Sequence, residues 1–206
     1  MNAKNLLLWA SLAFAMPMTA QTPQEDFKRD ITLSGSNYVA YRGPQKQLTP
    51  APKGYKPFYL SHYGRHGSRF MIGKKAYDVP YFSLLKAKQE GKLTAKGEET
   101  LAKVKMIREE AKGRDGELTP LGALQHQGIT RRMMERFPEI FAGNANIEAR
   151  STLVIRCILS MENGLHQMLR MNPKLHIFHD ASDHDMYYMN QGDRYLDSLK
   201  YSVGRR

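Results

Sequence analysis

The chain has 206 residues, enough for one domain with a sizeable core and too few for two comfortable ones. It is strongly basic, with 31 Lys and Arg against 20 Asp and Glu and a formal charge of +11, which favours anionic partners. The basic residues are scattered and form no recognisable nucleic-acid-binding module, so an anionic, phosphorylated small molecule fits better than nucleic acid.

Residues 1–20 differ in kind from the rest. Lys4 gives a positive start, Leu6 to Ala15 is almost wholly apolar, and Met16-Pro17-Met18-Thr19-Ala20 follows as a cleavage region, with the cut expected after Ala20. This reads as a secretory signal peptide, because the apolar run is too short to span a bilayer as a stable helix. No later stretch is apolar enough to cross a membrane, so the processed chain is expected to be secreted or periplasmic, with peripheral membrane association left open. The single cysteine, Cys157, excludes an intramolecular disulfide even in an oxidising compartment. It falls in a helical apolar pattern, where a structural role is the commoner one.

Residues 21–57 are rich in Gly, Pro, Thr, Ser and Gln, with breaks at Gly43-Pro44, Thr49-Pro50, Ala51-Pro52 and Lys56-Pro57. They are expected to form an irregular N-terminal arm, leaving 58–206 as the domain proper. The apolar run Phe58-Tyr59-Leu60 then predicts a short buried strand feeding a reactive turn, Arg65-His66-Gly67-Ser68-Arg69. Two guanidiniums offer forked donors that match phosphoryl oxygens and stay charged at any working pH. An imidazole nitrogen can serve as nucleophile or base, and Gly67 lets the backbone approach a ligand. The plain alternative for the same five residues is a solvated basic loop, since short motifs have a high false-positive rate.

A helix is predicted over Asp78–Lys88, ended by Gly91, and a second from Thr94 to about Lys112, with Leu101, Val104 and Ile107 recurring at three-residue steps. Thr119-Pro120 is a cap followed by a favoured first helical residue, so a third helix starts there and stops at Pro138. Asn146–Arg150 reads as a strand and Ser151-Thr152 as the cap of a helix carrying Val154, Ile158, Met161, Leu165 and Met168 on one face. Leu175–Phe178 reads as another strand, followed by a polar, aromatic stretch to Tyr188. Strands alternating with helices define an α/β sheet with helical cover.

Arg150 closes a strand and precedes a helix, the place where open α/β sheets bind ligands. Taken alone it is an ordinary surface arginine. Together with Arg65, His66 and Arg69 it would complete a pocket around one phosphoryl group. Arg156 reads as a packing or salt-bridge residue, and His62 and His126 as structural, with His62 able to border the pocket. The His and Asp cluster from His176 to Asp185 has residue types that ligate zinc, but a polar loop at a substrate mouth is the better reading and no metal is expected.

Three ordered blocks, YGRHGSRF at 63–70, LTPLGALQHQG at 118–128 and ARSTLVIRCILSMENGL at 149–165, resemble the histidine acid phosphatase family, the larger branch of the histidine phosphatases. Within it the chain is most similar to bacterial multiple inositol polyphosphate phosphatases, to which HDASDHDMYYMN at 179–190 adds. The resemblance runs from about Lys53 to Asn190 and implies a phosphoglycerate-mutase-like sheet, of which this sequence would carry the N-terminal part. It implies that His66 attacks phosphorus and becomes a transient phosphohistidine that water hydrolyses. Arg65, Arg69 and Arg150 would bind the substrate's phosphoryl oxygens, no metal or other cofactor would be needed, and the substrates would be phosphomonoesters such as inositol polyphosphates.

The sequence also departs from the family. Its members are much longer and carry, in their later half, a His-Asp or His-Ala-Glu motif whose acid protonates the leaving oxygen. His179-Asp180 and His184-Asp185 have suitable residue types but come too early in the order of blocks, so the general acid is unknown. The sequence ends at Gly204-Arg205-Arg206 with the expectation of an incomplete domain. The alternative function is therefore a catalytically incomplete phosphate- or polyanion-binding fragment.

Overall fold

The computed structural model describes residues 22–41, 43, 49–189 and 194–203. The expected signal peptide at 1–20 lies outside them. The described residues up to 41 and those from 43 onwards form separate compact units.

In the first unit the expected irregular arm contains helix. Thr22 caps α1 (Pro23–Arg29) in a reciprocal box: its hydroxyl accepts from the Glu25 amide and the Glu25 carboxylate accepts from the Thr22 amide. Pro23 at the helix start needs no amide partner, and a 3₁₀ helix over Ile31–Tyr38 follows. The Thr-x-x-Glu signal outweighs the turn-forming composition around it.

The second unit is helix-rich around a small parallel sheet. α2 (Lys75–Gln89) and α3 (Ala95–Glu110) form an antiparallel pair, turned at Gly91 with φ +67° and reopened by the Thr94 cap on the Gly97 amide. Arg108 Nε bonds Asp78 Oδ1 at 2.7 Å across the pair. Phe70, Tyr77 and Ala111 form a small core at its base, where the Met71 amide donates to the Tyr77 hydroxyl at 2.7 Å.

Thr119 opens α4 (Pro120–Arg136), its hydroxyl accepting from the Gly122 amide. β1 (Asn146–Ser151) and β2 (His176–Ala181) pair in parallel and are joined by α5 (Ile155–Met171). The main core, Met134, Phe141 and Leu175, lies where α4 and the following loop meet the start of β2, with Ile147, Met168 and Ile177 against it. Beyond β2 the chain turns through a 3₁₀ helix at Asp183–Asp185 into α6 (Met186–Met189), and α7 (Arg194–Val203), not expected from the sequence, follows.

Three local expectations are corrected. Phe58–Leu60 joins no ladder: the described sheet holds β1 and β2 alone. Phe58 is 94% exposed, and only Leu60 packs against the main core. An apolar run becomes a strand only where a neighbour accepts its backbone hydrogen bonds. Ser151 and Thr152 do not cap α5, because pairing with Ala181 keeps Ser151 in β1 and Val154 takes the cap position without a side-chain bond. For the same reason β2 starts later than Leu175 and continues through His179, Asp180 and Ala181, placing the first part of the supposed polar loop inside the sheet.

Candidate active site

The turn Arg65–Arg69 is held by the first two turns of α4 and the second turn of α5. Both the Thr119 amide and its hydroxyl donate to Ser68 O at 2.9 Å. The Ser68 amide donates to Gln125 Oε1 at 2.8 Å, and the Gly67 amide to Ser160 Oγ at 3.1 Å. Gly67 and Gly122 cross with no room for side chains: a Cβ on Gly67 would lie 2.6 Å from Gly122 Cα. On the far side, Arg69 pairs with Leu118 as an antiparallel bridge and the Phe70 amide donates to Glu117 O at 2.9 Å. A turn fixed at this many points holds its side chains in a set orientation.

His66 is half-buried, and its Nδ1 lies 2.8 Å from Gly67 O. A carbonyl only accepts, so Nδ1 carries the proton and Nε2 of the neutral ring keeps its lone pair. Burial lowers the affinity of this imidazole for a second proton below the ordinary value; the bond to Gly67 O opposes that, and the charges of Arg156, Arg65 and Arg69 add to it. The ring is therefore held in the form a nucleophile requires. His126 supports the turn from α4, its Nε2 donating to Arg65 O at 3.1 Å, and burial lowers its pKa in the same direction.

Arg65 is exposed, whereas Arg69 donates through Nη1 to Phe70 O at 2.9 Å and keeps a buried Nε without an acceptor among the described residues. Arg156, read from the sequence as a packing residue, is the first of the charges acting on His66. Its Nη1 reaches Gly116 O only at 3.4 Å, and its buried Nε has no acceptor among the described residues. Helical position is a faint signal for Arg156: it falls in the first turn after β1, the end of the sheet where ligands collect.

Arg150 lies near the C-terminal end of β1, as expected. It is exposed and turns towards the segment after β2, with Nη1 3.2 Å from the Tyr188 hydroxyl and Nε 3.6 Å from Asp185 Oδ2. The Tyr188 hydroxyl, then the Asp185 charge, hold its guanidinium more firmly protonated. The Tyr63 hydroxyl donates to Met189 O at 2.8 Å, so the same segment is also tied to the approach of the reactive turn. His179 bonds Glu162 at 2.7 Å and His184 lies beside Asp185 at 3.3 Å. Among the described residues no three His, Cys, Asp or Glu converge as a metal site would require.

The lowered His66 pKa has a pH signature. Titration followed on the ring by NMR is expected to have its midpoint below the usual histidine value of about 6.5. The unfolded chain takes up these protons more readily than the folded one, so the stability held in neutral His66 and His126 is present above about pH 6.5 and is lost as pH falls through their lower folded-state values. A His66 midpoint at or above the usual value would contradict the burial and charge argument.

The site thus defines a class, a half-buried imidazole under the charges of three arginines on a turn packed against two helices. No described protein family and no curated protein matches the chain. Among solved structures it is similar to a multiple inositol polyphosphate phosphatase of Bifidobacterium longum, crystallised in complex with inositol hexasulfate, at 25% identity and a TM-score of 0.49. That match covers 66% of this chain and 29% of that chain, so this chain spans less than a third of its length.

Proposed function

We propose that this chain is a phosphomonoesterase of the histidine acid phosphatase type, with the N-terminal part of a phosphoglycerate-mutase-like fold. The observation that carries the reading is His66, with Nε2 unprotonated and Arg156, Arg65 and Arg69 acting on it. Nε2 attacks phosphorus as the ester oxygen leaves; water then attacks the phosphohistidine, releasing phosphate and returning the lone pair to Nε2. The leaving oxygen takes its proton from a general acid. Arg65, Arg69 and Arg156 neutralise charge developing on the phosphoryl oxygens, and Arg150 binds phosphate of the same substrate from the strand end. The chain's positive charge suits a polyanionic substrate such as an inositol polyphosphate, met outside the cytoplasm after removal of residues 1–20. No described helix is long and apolar enough to cross a membrane.

Among the described residues the His66 side chain hydrogen-bonds Gly67 O and no carboxylate. That favours a second reading, phosphate binding without turnover, because general acid catalysis is typically worth about 10²- to 10⁴-fold. Phosphate release from a chromogenic monoester and from phytate at mildly acidic pH separates the two. Release from both supports the phosphatase. Binding of orthophosphate without release supports the second reading, and neither release nor binding contradicts both.

A further inference from the structure

The bond that leaves Nε2 free for chemistry is made to Gly67 O, so its geometry depends on the orientation of the Gly67–Ser68 peptide. A trans peptide is planar, with its carbonyl and its N–H pointing in opposite directions. Fixing one end therefore fixes the other. The N–H end of this peptide is Ser68 N, and it donates to Gln125 Oε1 at 2.8 Å from the second turn of α4. The preceding peptide is fixed independently: Gly67 N donates to Ser160 Oγ, whose hydroxyl donates to Arg156 O at 2.7 Å.

Gln125 accepts a cost to make this contact. Its Nε2 is buried with no acceptor among the described residues. Turning the amide round would set its NH2 group against the Ser68 N–H and lose the one bond it makes. The residue also brings an acceptor oxygen without a negative charge, so it holds the turn without favouring protonation of the ring.

We propose that Gln125 is a positioning residue that aims Gly67 O at His66 and thereby sets the ring as the Nδ1–H tautomer. This rests on the reading of His66 as nucleophile. Two-bond proton–nitrogen NMR correlations of the full chain report which ring nitrogen is protonated, and loss of the signal in His66→Ala assigns it. The wild type is expected to show Nδ1 protonated and Nε2 bare. Gln125→Met, similar in length without an acceptor, is expected to admit the Nε2–H form that free histidine favours and to lower kcat/KM by up to about 10²-fold. Gln125→Glu keeps an acceptor oxygen and is expected to keep the wild-type tautomer.

A bare Nδ1 in the wild type overturns the proposal, and so does a folded Gln125→Met with the wild-type tautomer. If Gln125→Met does not fold, Gln125→Glu decides: Nδ1 protonated supports the assignment, and Nδ1 bare overturns it. The tautomer is read without turnover. An absence of phosphate release would therefore count against the phosphatase reading and leave the role of Gln125 to be decided by the spectra.

Discussion

His66→Ala is expected to lower phosphate release by about 10⁴-fold or more, since removal of a covalent nucleophile typically has an effect of this size. Affinity for orthophosphate should change far less. The groups that would hold the phosphoryl oxygens are the guanidiniums of Arg65, Arg69 and Arg156, and the turn carrying the first two is fixed by its backbone through Thr119, Gln125 and Ser160. Release measured on a chromogenic monoester, with phosphate binding followed by calorimetry on the same two proteins, gives the comparison. Equal loss of binding and release would mean that the variant had disturbed the turn as a whole, and unchanged release would remove His66 from the mechanism.

The second large effect is on stability. Gly122→Ala sits in the first turn of α4, where alanine would ordinarily be favoured over glycine by about 1 kcal/mol. Here the sign reverses. The new Cβ would lie 2.9 Å from Ser68 N and 2.7 Å from Leu118 Cδ1, and closer still to Ser68 O. The Ser68 atoms are backbone and cannot turn aside as a side chain can, so the turn must move off the helix, at a cost of about 3 kcal/mol as in an overpacked core. Gly73→Ala, with open space around the added carbon, is the control. Urea unfolding of both should show a markedly lower midpoint for Gly122→Ala alone, and a Gly122→Ala protein as stable as the wild type would contradict the close crossing.

What could be read from the sequence follows the range of the forces involved. Helix starts at Thr94 and Thr119 are decided within four residues, by a hydroxyl accepting a nearby amide, and both form where expected. The reactive turn was visible because its residue types sit side by side. The crossing of Gly67 with Gly122 was not, because neither glycine signals which distant backbone it meets. Gln125 and Ser160 look like ordinary polar residues of amphipathic helices until the turn is placed against them.

The same reasoning explains the arginines. Arg150 occupies the strand end that its sequence position indicates, and its side chain engages Asp185 and Tyr188. Helical spacing does not reveal that the charge of Arg156, in the first turn of α5, acts on His66. Phe58–Leu60 failed as a strand for a related reason: apolarity calls for burial, while a strand also needs a ladder partner.

The most direct measurement is to quench the protein in alkali shortly after mixing with an aryl phosphate and to locate any phosphoryl group by mass spectrometry. A phosphoryl group on a ring nitrogen of His66, absent from His66→Ala, is expected. A phosphoryl group carried by another residue, or phosphate released as fast by His66→Ala as by the wild type, would contradict it.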